Sequence, residues 1–352
     1  TVFELVTATF ATYDFDLRKD WIECRDKIRG KGETLNTDVM EGVDETSFLT
    51  AITLYTTYLS DKMTTCKKKD VLALNFEDYK KNRDILLEGY KMARKFLFQQ
   101  YVFRKRDLPY TTQLIPLSVI GTATFNLPST QKILAKWFWC GIMGEMYGGA
   151  NETRYVTDIE DVVAEIQGKD SQNRTINAAY FSATRLLSLQ TRNSAAYKGI
   201  MALVYREQCR DFMQGITMDI VKSMDESPDI HHIFPEAYCK KMGLDKTKWN
   251  SIVNKTPLLP ASNRQIGGDA PSVYSGNIMK KAEIDEVELR FRIESHLVNY
   301  DYLIADDFDH YFIARAKAIL KVIEAAMGKT IADKGSEQTI KEYGCSLEDN
   351  AN

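Results

Sequence analysis

The sequence predicts a mainly α-helical protein with one small α+β insertion, set between residues 205 and 280. Three observations carry that prediction. Apolar residues recur at helical spacing through most of the 352-residue chain. Strand-like runs are few and confined to residues 216–259. Two of the four histidines stand side by side in one of those runs, closed by a proline. Residues 1–204 then form a helical body, 205–280 the insertion, 281–328 closing helices that pack back on the body, and 329–352 a polar tail.

The elements follow in order. A first helical pattern spans residues 44–60. In the second, 76–103, Ile85, Leu86, Met92, Ala93, Phe96 and Leu97 recur with a roughly 3.6-residue period. Asn75 stands where a side-chain oxygen caps the first turn. Further helical patterns cover 130–147, 157–167, 193–206, 284–298 and 308–327. The Trp137–Met143 stretch is too short to span a bilayer and reads as buried helix. Pro109, Pro116 and Pro128 punctuate loops. The strand candidates are 216–220, Ile230–Phe234 and Thr256–Leu259, the last feeding a short helix that carries Asn263. Residues 329–352 are polar with little periodicity, which predicts a flexible or loosely docked tail.

Composition bounds the class. Apolar residues at 44% and charged residues at 27% are ordinary for a globular chain. A net charge of −3 gives no overall nucleic-acid signal, so any such contact is local. Residues 239–264 carry six basic residues against one acidic. Lys240, Lys241, Lys255 and Arg264 are the candidates there to neutralise backbone phosphates, with a salt-dependent affinity. The plainer reading of such a run is a solvated loop face. Arg104-Lys105-Arg106 and Lys67-Lys68-Lys69 are basic clusters with nothing beyond charge to commend them. The six cysteines form no Cys-x-x-Cys pair, so a structural zinc is not expected and a reducing compartment is. No secretory pattern opens the chain, and no apolar run reaches the roughly 18–20 residues of a membrane span. The expectation is a cytoplasmic protein without membrane contact.

The chemistry-bearing pattern is Asp229-Ile230-His231-His232-Ile233-Phe234-Pro235, with Asn254 and Asn263 following His232 by 22 and 31 residues. Phosphodiester hydrolysis needs a water made nucleophilic near neutral pH. A neutral imidazole, with an ordinary pKa of about 6.5, does this. The reaction also needs a cation to neutralise charge on the scissile phosphate. Mg²⁺ suits a site with few protein ligands because it keeps several waters; an imidazole ligand widens the choice to Mn²⁺ or Ni²⁺. Alternation along a strand places Asp229 and His231 on one face and His232 on the other. A bulge or strand end is then needed to bring both histidines to one phosphate, and Pro235 is a candidate strand terminator. Each residue also has a plainer reading. Asn263 could cap its helix, Asn254 brace a loop, and Asp229 serve structure alone. His296 and His310 lack a partner motif, and Gly267-Gly268 reads as turn chemistry.

These residues resemble the HNH, or ββα-metal (His-Me), endonuclease finger. His232-Ile233-Phe234-Pro235 is similar to the His-x-x-Pro core in the C-terminal nuclease domain of GmrSD-type restriction proteins. Ser251–Leu259 and Asn263–Tyr274 are similar to the same family, and so, more weakly, are Thr191–Gly199 and the opening Val2–Val6. The resemblance spans most of residues 1–327. It implies His232 as general base and Asn254 as the central Asn that braces the loop and orients the base. It implies His231, Asn263 and Asp229 as holders of one divalent cation, with His231 standing where many such fingers carry Asp. It further implies DNA as substrate and restriction of foreign or modified DNA, such as phage DNA, as the role.

Family members carry an upstream nucleotide-hydrolysing domain with an Asp-Gly-Gln-Gln-Arg-like string. That string and the Gly-x-x-x-x-Gly-Lys-Ser/Thr phosphate loop do not occur here. The chain opens on Thr1, and the expectation is a C-terminal piece whose partners include that missing domain, with a homo-oligomer also open. Two other functions stay open. One is a non-catalytic DNA-binding or regulatory module that keeps the finger as scaffold. The other is an RNA nuclease, since phosphate chemistry does not distinguish the sugar.

Overall fold

Helical periodicity in the sequence becomes helix nearly wherever it occurs. Residues 44–60 form the helix Glu45–Tyr58, capped by the Asp44 carboxylate, which accepts from the Ser47 N–H at 2.7 Å. The Asn75 oxygen caps Phe76–Gln99 by accepting from the Asp78 N–H at 2.8 Å, as the sequence predicts. Thr130–Met143, Glu152–Ile166, Ala195–Arg206, Glu286–Glu294 and Phe308–Met327 fill the other expected segments. The computed structural model describes residues 1–33, 38–60, 63–124, 127, 130–218 and 228–349.

Two proline expectations meet different ends. Pro116 is not in a loop; it is the third residue of the helix Leu114–Thr124. A first-turn N–H has no intrahelical partner, so proline is tolerated there. Pro128 lies outside the described residues.

The chain divides into two compact units, Thr1–Ala179 and Tyr180–Asn352. Among the described residues, the regular elements of the first are all helical. Its most extensive pairing sets Phe76–Gln99 against Leu114–Thr124. Gly89 and Gly121 permit that approach. A Cβ on Gly89 would collide with Thr122 and the Ser118 carbonyl, and one on Gly121 with the Met92 methyl. Near the start of the unit, Leu17–Arg29 ends at Gly30, whose φ of 69° is left-handed. The buried Arg94 donates to the Ile28 carbonyl at 2.9 Å there and pairs with Glu33.

The second unit begins earlier than the expected boundary after residue 204. Ala195–Arg206 packs within it, against Phe308–Met327 and a β-strand. Its Ala196, Tyr197, Ile200, Leu203 and Val204 are all buried, so this helix has no solvated face to mark a domain edge. The strands are β1, Asp229–His232, and β2, Lys255–Leu258, paired antiparallel. The candidate strand at 216–220 is reduced to an isolated bridge between Arg210 and Thr217, and residues 219–220 lie outside the described ones. Between β1 and β2 come the helices Glu236–Lys241 and Lys246–Trp249 and a 3₁₀ turn, Ile252–Asn254. The helix Pro260–Ile266 follows β2, with Pro260 in its first turn.

The C-terminal segment corrects the expected flexible tail. Glu337–Tyr343 is a helix, and Ile331, Tyr343 and Leu347 are buried. The Tyr343 hydroxyl donates to the Ala183 carbonyl at 2.9 Å. The Asp333 carboxylate accepts from the Ala183 N–H at 3.0 Å and from the Ser182 hydroxyl at 2.6 Å. A few well-spaced anchors dock a segment whose overall polarity hides them. Among the described residues, no helix is long and apolar enough to cross a membrane.

Candidate functional site

β1 and β2 pair without a bulge over four positions: Asp229 with Leu258, Ile230 with Pro257, His231 with Thr256 and His232 with Lys255. The strand alternation therefore holds, and the sheet presents two different faces.

Asp229, His231 and Asn263 gather on one face. His231 Nδ1 lies 2.8 Å from Asn263 Oδ1, and Asn263 Nδ2 donates to Asp229 Oδ2 at 3.3 Å. A carboxylate only accepts, so the amide nitrogen faces Asp229 and the amide oxygen faces His231. The His231 proton is then on Nδ1, and Nε2 keeps its lone pair. Nε2 is buried without a hydrogen-bond partner, and the Phe212 and Tyr274 rings stand edge-on at 6.3 and 6.2 Å between centroids. Burial pushes the His231 pKa down to about 4 despite the Asn263 contact, so the ring is neutral at pH 7.

Asn263 is held there by its helix. It is an interior residue of Pro260–Ile266, whose N-cap is Leu259, so the capping role does not fall to it. Asp211, fully buried, fixes the helix start. Its carboxylate accepts from the Leu259 N–H at 2.9 Å and the Ser262 hydroxyl at 2.6 Å. It also closes a turn by accepting from the N–H groups of Met213 and Gln214 at 3.0 and 2.8 Å.

His232 belongs to the other face and is half-buried. Its Nε2 lies 3.2 Å from Asn250 Oδ1, and Asn250 Nδ2 donates to Gln190 Oε1 at 3.4 Å. The amide oxygen accepts, so His232 donates from Nε2 and keeps its lone pair on Nδ1. The Trp249 ring stands across it at 5.9 Å. Burial lowers the His232 pKa against the Asn250 contact, and Lys255 lowers it further. Lys255 is buried, with Nζ donating to the Gln190 carbonyl at 2.6 Å. Burial first and Arg192 second depress its pKa to about 8. Lys255 is thus not the surface cation that the sequence suggests. Lys240 is exposed and pairs with Glu236 at 2.6 Å; Lys241 and Arg264 are exposed.

Asn254 braces the loop, as expected, and does so completely. Its Nδ2 donates to the carbonyls of Phe234 and Trp249, both at 2.9 Å. Its Oδ1 accepts from the Phe234 N–H at 2.9 Å and the Tyr311 hydroxyl at 3.2 Å. These bonds hold the backbone that leaves β1, but the orientation of the His232 ring falls to Asn250. Pro235 ends the strand region by capping Glu236–Lys241.

Sequence reasoning missed Asn250, Gln190, Asp211, His296 and Arg315. His296 is fully buried, 2.5 Å from the Thr256 hydroxyl and 2.6 Å from the Arg210 carbonyl. Arg315, also buried, donates to the carbonyls of Val253, Lys255 and His296. No spacing marks these residues in one sequence; each is far along the chain from what it holds.

Among the described residues, no group of three or more His, Cys, Asp and Glu is placed to hold a metal ion. The Asp229–His231–Asn263 cluster has two such residues and an amide. Its donors fit a hard dication by type: a carboxylate, an amide oxygen and one neutral imidazole. By spacing, one pair fits: His231 Nδ1 and Asn263 Oδ1, 2.8 Å apart, match neighbouring ligands of a six-coordinate ion, roughly 3 Å, and ligation there requires the His231 proton to move from Nδ1 to Nε2.

No described protein family matches the chain. It is 25% identical over 350 residues to an uncharacterized protein of Methanocaldococcus jannaschii, a match that covers 91% of this chain. The chain spans 58% of that relative's length.

Proposed function

We propose that the chain is a metal-dependent endonuclease of the HNH type that hydrolyses DNA phosphodiester bonds, acting in restriction of foreign DNA. One observation carries the reading. The strand–loop–strand–helix order of β1, β2 and Pro260–Ile266 gathers Asp229, His231 and Asn263, and a neutral imidazole, His232, ends the same strand.

In this reading His232 Nδ1 takes the proton of the attacking water, while Asn250 fixes the ring through Nε2. Asp229, His231 and Asn263 would hold the divalent cation, Mg²⁺ first. When bound it would neutralise charge on the phosphate and the leaving oxygen. Asn254 keeps the backbone after His232 in place. Arg264 and Lys241, both exposed, are available to backbone phosphates, and Lys255 sets the potential around His232. Among the described residues β1 pairs with β2 alone, and in this reading a phosphate lies along its other edge, where it meets both faces.

The second reading is a non-catalytic DNA-binding module. The separation of His232 from the Asp229 cluster by the sheet favours it. Supercoiled plasmid incubated with Mg²⁺, Mn²⁺, Ni²⁺ or EDTA decides between them. The native chain should nick DNA only with metal, and His232→Ala should nick at least 10²-fold more slowly while binding DNA equally. Cleavage of RNA but not DNA would change the substrate class. Absence of cleavage with every metal on both substrates would overturn the nuclease reading.

A further inference from the structure

A cleft of about 430 Å³ is lined in part by Gln190, which is linked to His232 through Asn250. Its walls come from three separate segments. Ser182, Thr184, Arg185 and Gln190 form one, Thr247 another, and Gln338 on the C-terminal helix the third. Gln190 joins the cleft to the site: its carbonyl accepts from Lys255, and its amide oxygen accepts from Asn250, which touches His232. The third wall is fixed, because Asp333 and Tyr343 tie the C-terminal segment to Ser182 and Ala183.

The lining defines the ligand. Its volume lies within the roughly 300–1,000 Å³ of small-molecule sites. The lining mixes hydroxyl and amide groups with a larger apolar surface that includes Leu187, and both Arg185, which donates to the Ser188 hydroxyl at 2.6 Å, and the Glu342 carboxylate belong to it. A bare phosphate would meet that carboxylate. A neutral unit with many donors and acceptors would not, and a sugar with its base is such a unit.

We propose that this cleft is a nucleoside subsite, which receives one unstacked sugar–base unit next to the phosphate presented to His232. The assignment rests on the nuclease reading for its meaning but not for its test. A strand bound this way leaves its neighbouring bases free to stay stacked and extrudes one of them into the cleft. The C-terminal helix becomes part of the substrate-binding surface.

The test is binding in EDTA, where no cleavage intrudes. Fluorescein-labelled 12-nucleotide single-stranded DNA is compared with an abasic strand of equal length and charge. The native chain should prefer the base-bearing strand by at least tenfold. Thr247→Trp and Gln338→Trp, which fill the cleft from exposed positions, should erase that preference. Ile340→Trp, exposed on the opposite side of the same helix, should keep it. Equal binding of the two strands by the native chain, or a preference that survives both filling variants, overturns the subsite. Loss of plasmid nicking by the native chain would sink the nuclease reading and leave this result standing, so the two failures are separable.

Discussion

At the residue scale, two asparagines four positions apart divide one expected role. Asn254 is buried and spends all four of its hydrogen bonds on neighbours around the strand exit. Asn250 is half-buried and touches the His232 ring. Their losses should therefore differ in kind. Asn254→Ala strands buried backbone groups at about 1–3 kcal/mol each, and should lower stability by at least about 3 kcal/mol in urea unfolding. Asn250→Ala should cost under about 1 kcal/mol, and under the nuclease proposal it should slow plasmid nicking about tenfold, because a freely turning imidazole would be a poorer base. Equal destabilisation by both would show that Asn250 is a structural residue. Only the first asparagine is visible in the sequence, since its spacing from His232 is what the resemblance supplies.

At the element scale, long-range polar ties hold the small sheet. Asp211 pins the start of Pro260–Ile266, and Arg315 pins the carbonyls around β2. His296 links the Thr256 hydroxyl to the Arg210 carbonyl. A carbonyl accepts, so His296 donates from Nε2 and is neutral, its pKa pushed by burial to about 3. An unfolded histidine titrates at about 6.5. The unfolded chain therefore binds the proton first as pH falls, and native stability is full above about 6.5 and lost on the way down to about 3. Between pH 6 and 4 the native chain should lose stability more steeply than His296→Gln, by about one proton in the slope, as urea unfolding at each pH would read. Parallel slopes would mean that the ring is charged or solvated in the fold. The sequence shows the strands to within a residue or two through their apolar and β-branched content, but not these ties.

At the scale of the whole molecule, the largest departure is the C-terminal segment. Its composition is polar, yet Ile331, Tyr343 and Leu347 are buried and the Asp333 carboxylate is bonded to residues some 150 positions earlier. Each such apolar side chain contributes about 2 kcal/mol on burial. A chain ending at Gly328 should melt at a lower temperature and lose the wall formed by Gln338. An unchanged melting temperature would mean that the segment is dispensable to the second unit. The boundary at Ala179 is equally invisible in sequence, because Ala195–Arg206 is apolar on nearly every face and reads like any core helix.

The sequence by itself determined the local structure and the chemical inventory. Helices and the cap at Asn75 follow from spacing and a short side-chain oxygen, which act within a few residues. The two-faced histidines follow from period-two alternation, which is equally local, while the strand pair and the helix bearing Asn263 are what the resemblance implies. Only the tertiary structure decided which groups meet. It set Asn263 between Asp229 and His231, gave His232 to Asn250, buried Lys255, and brought Gln338 to the cleft. Those contacts join residues tens to more than a hundred positions apart. A single chain leaves no local mark of them, because a hydrogen bond or a packed wall depends on position in space and not on separation in sequence.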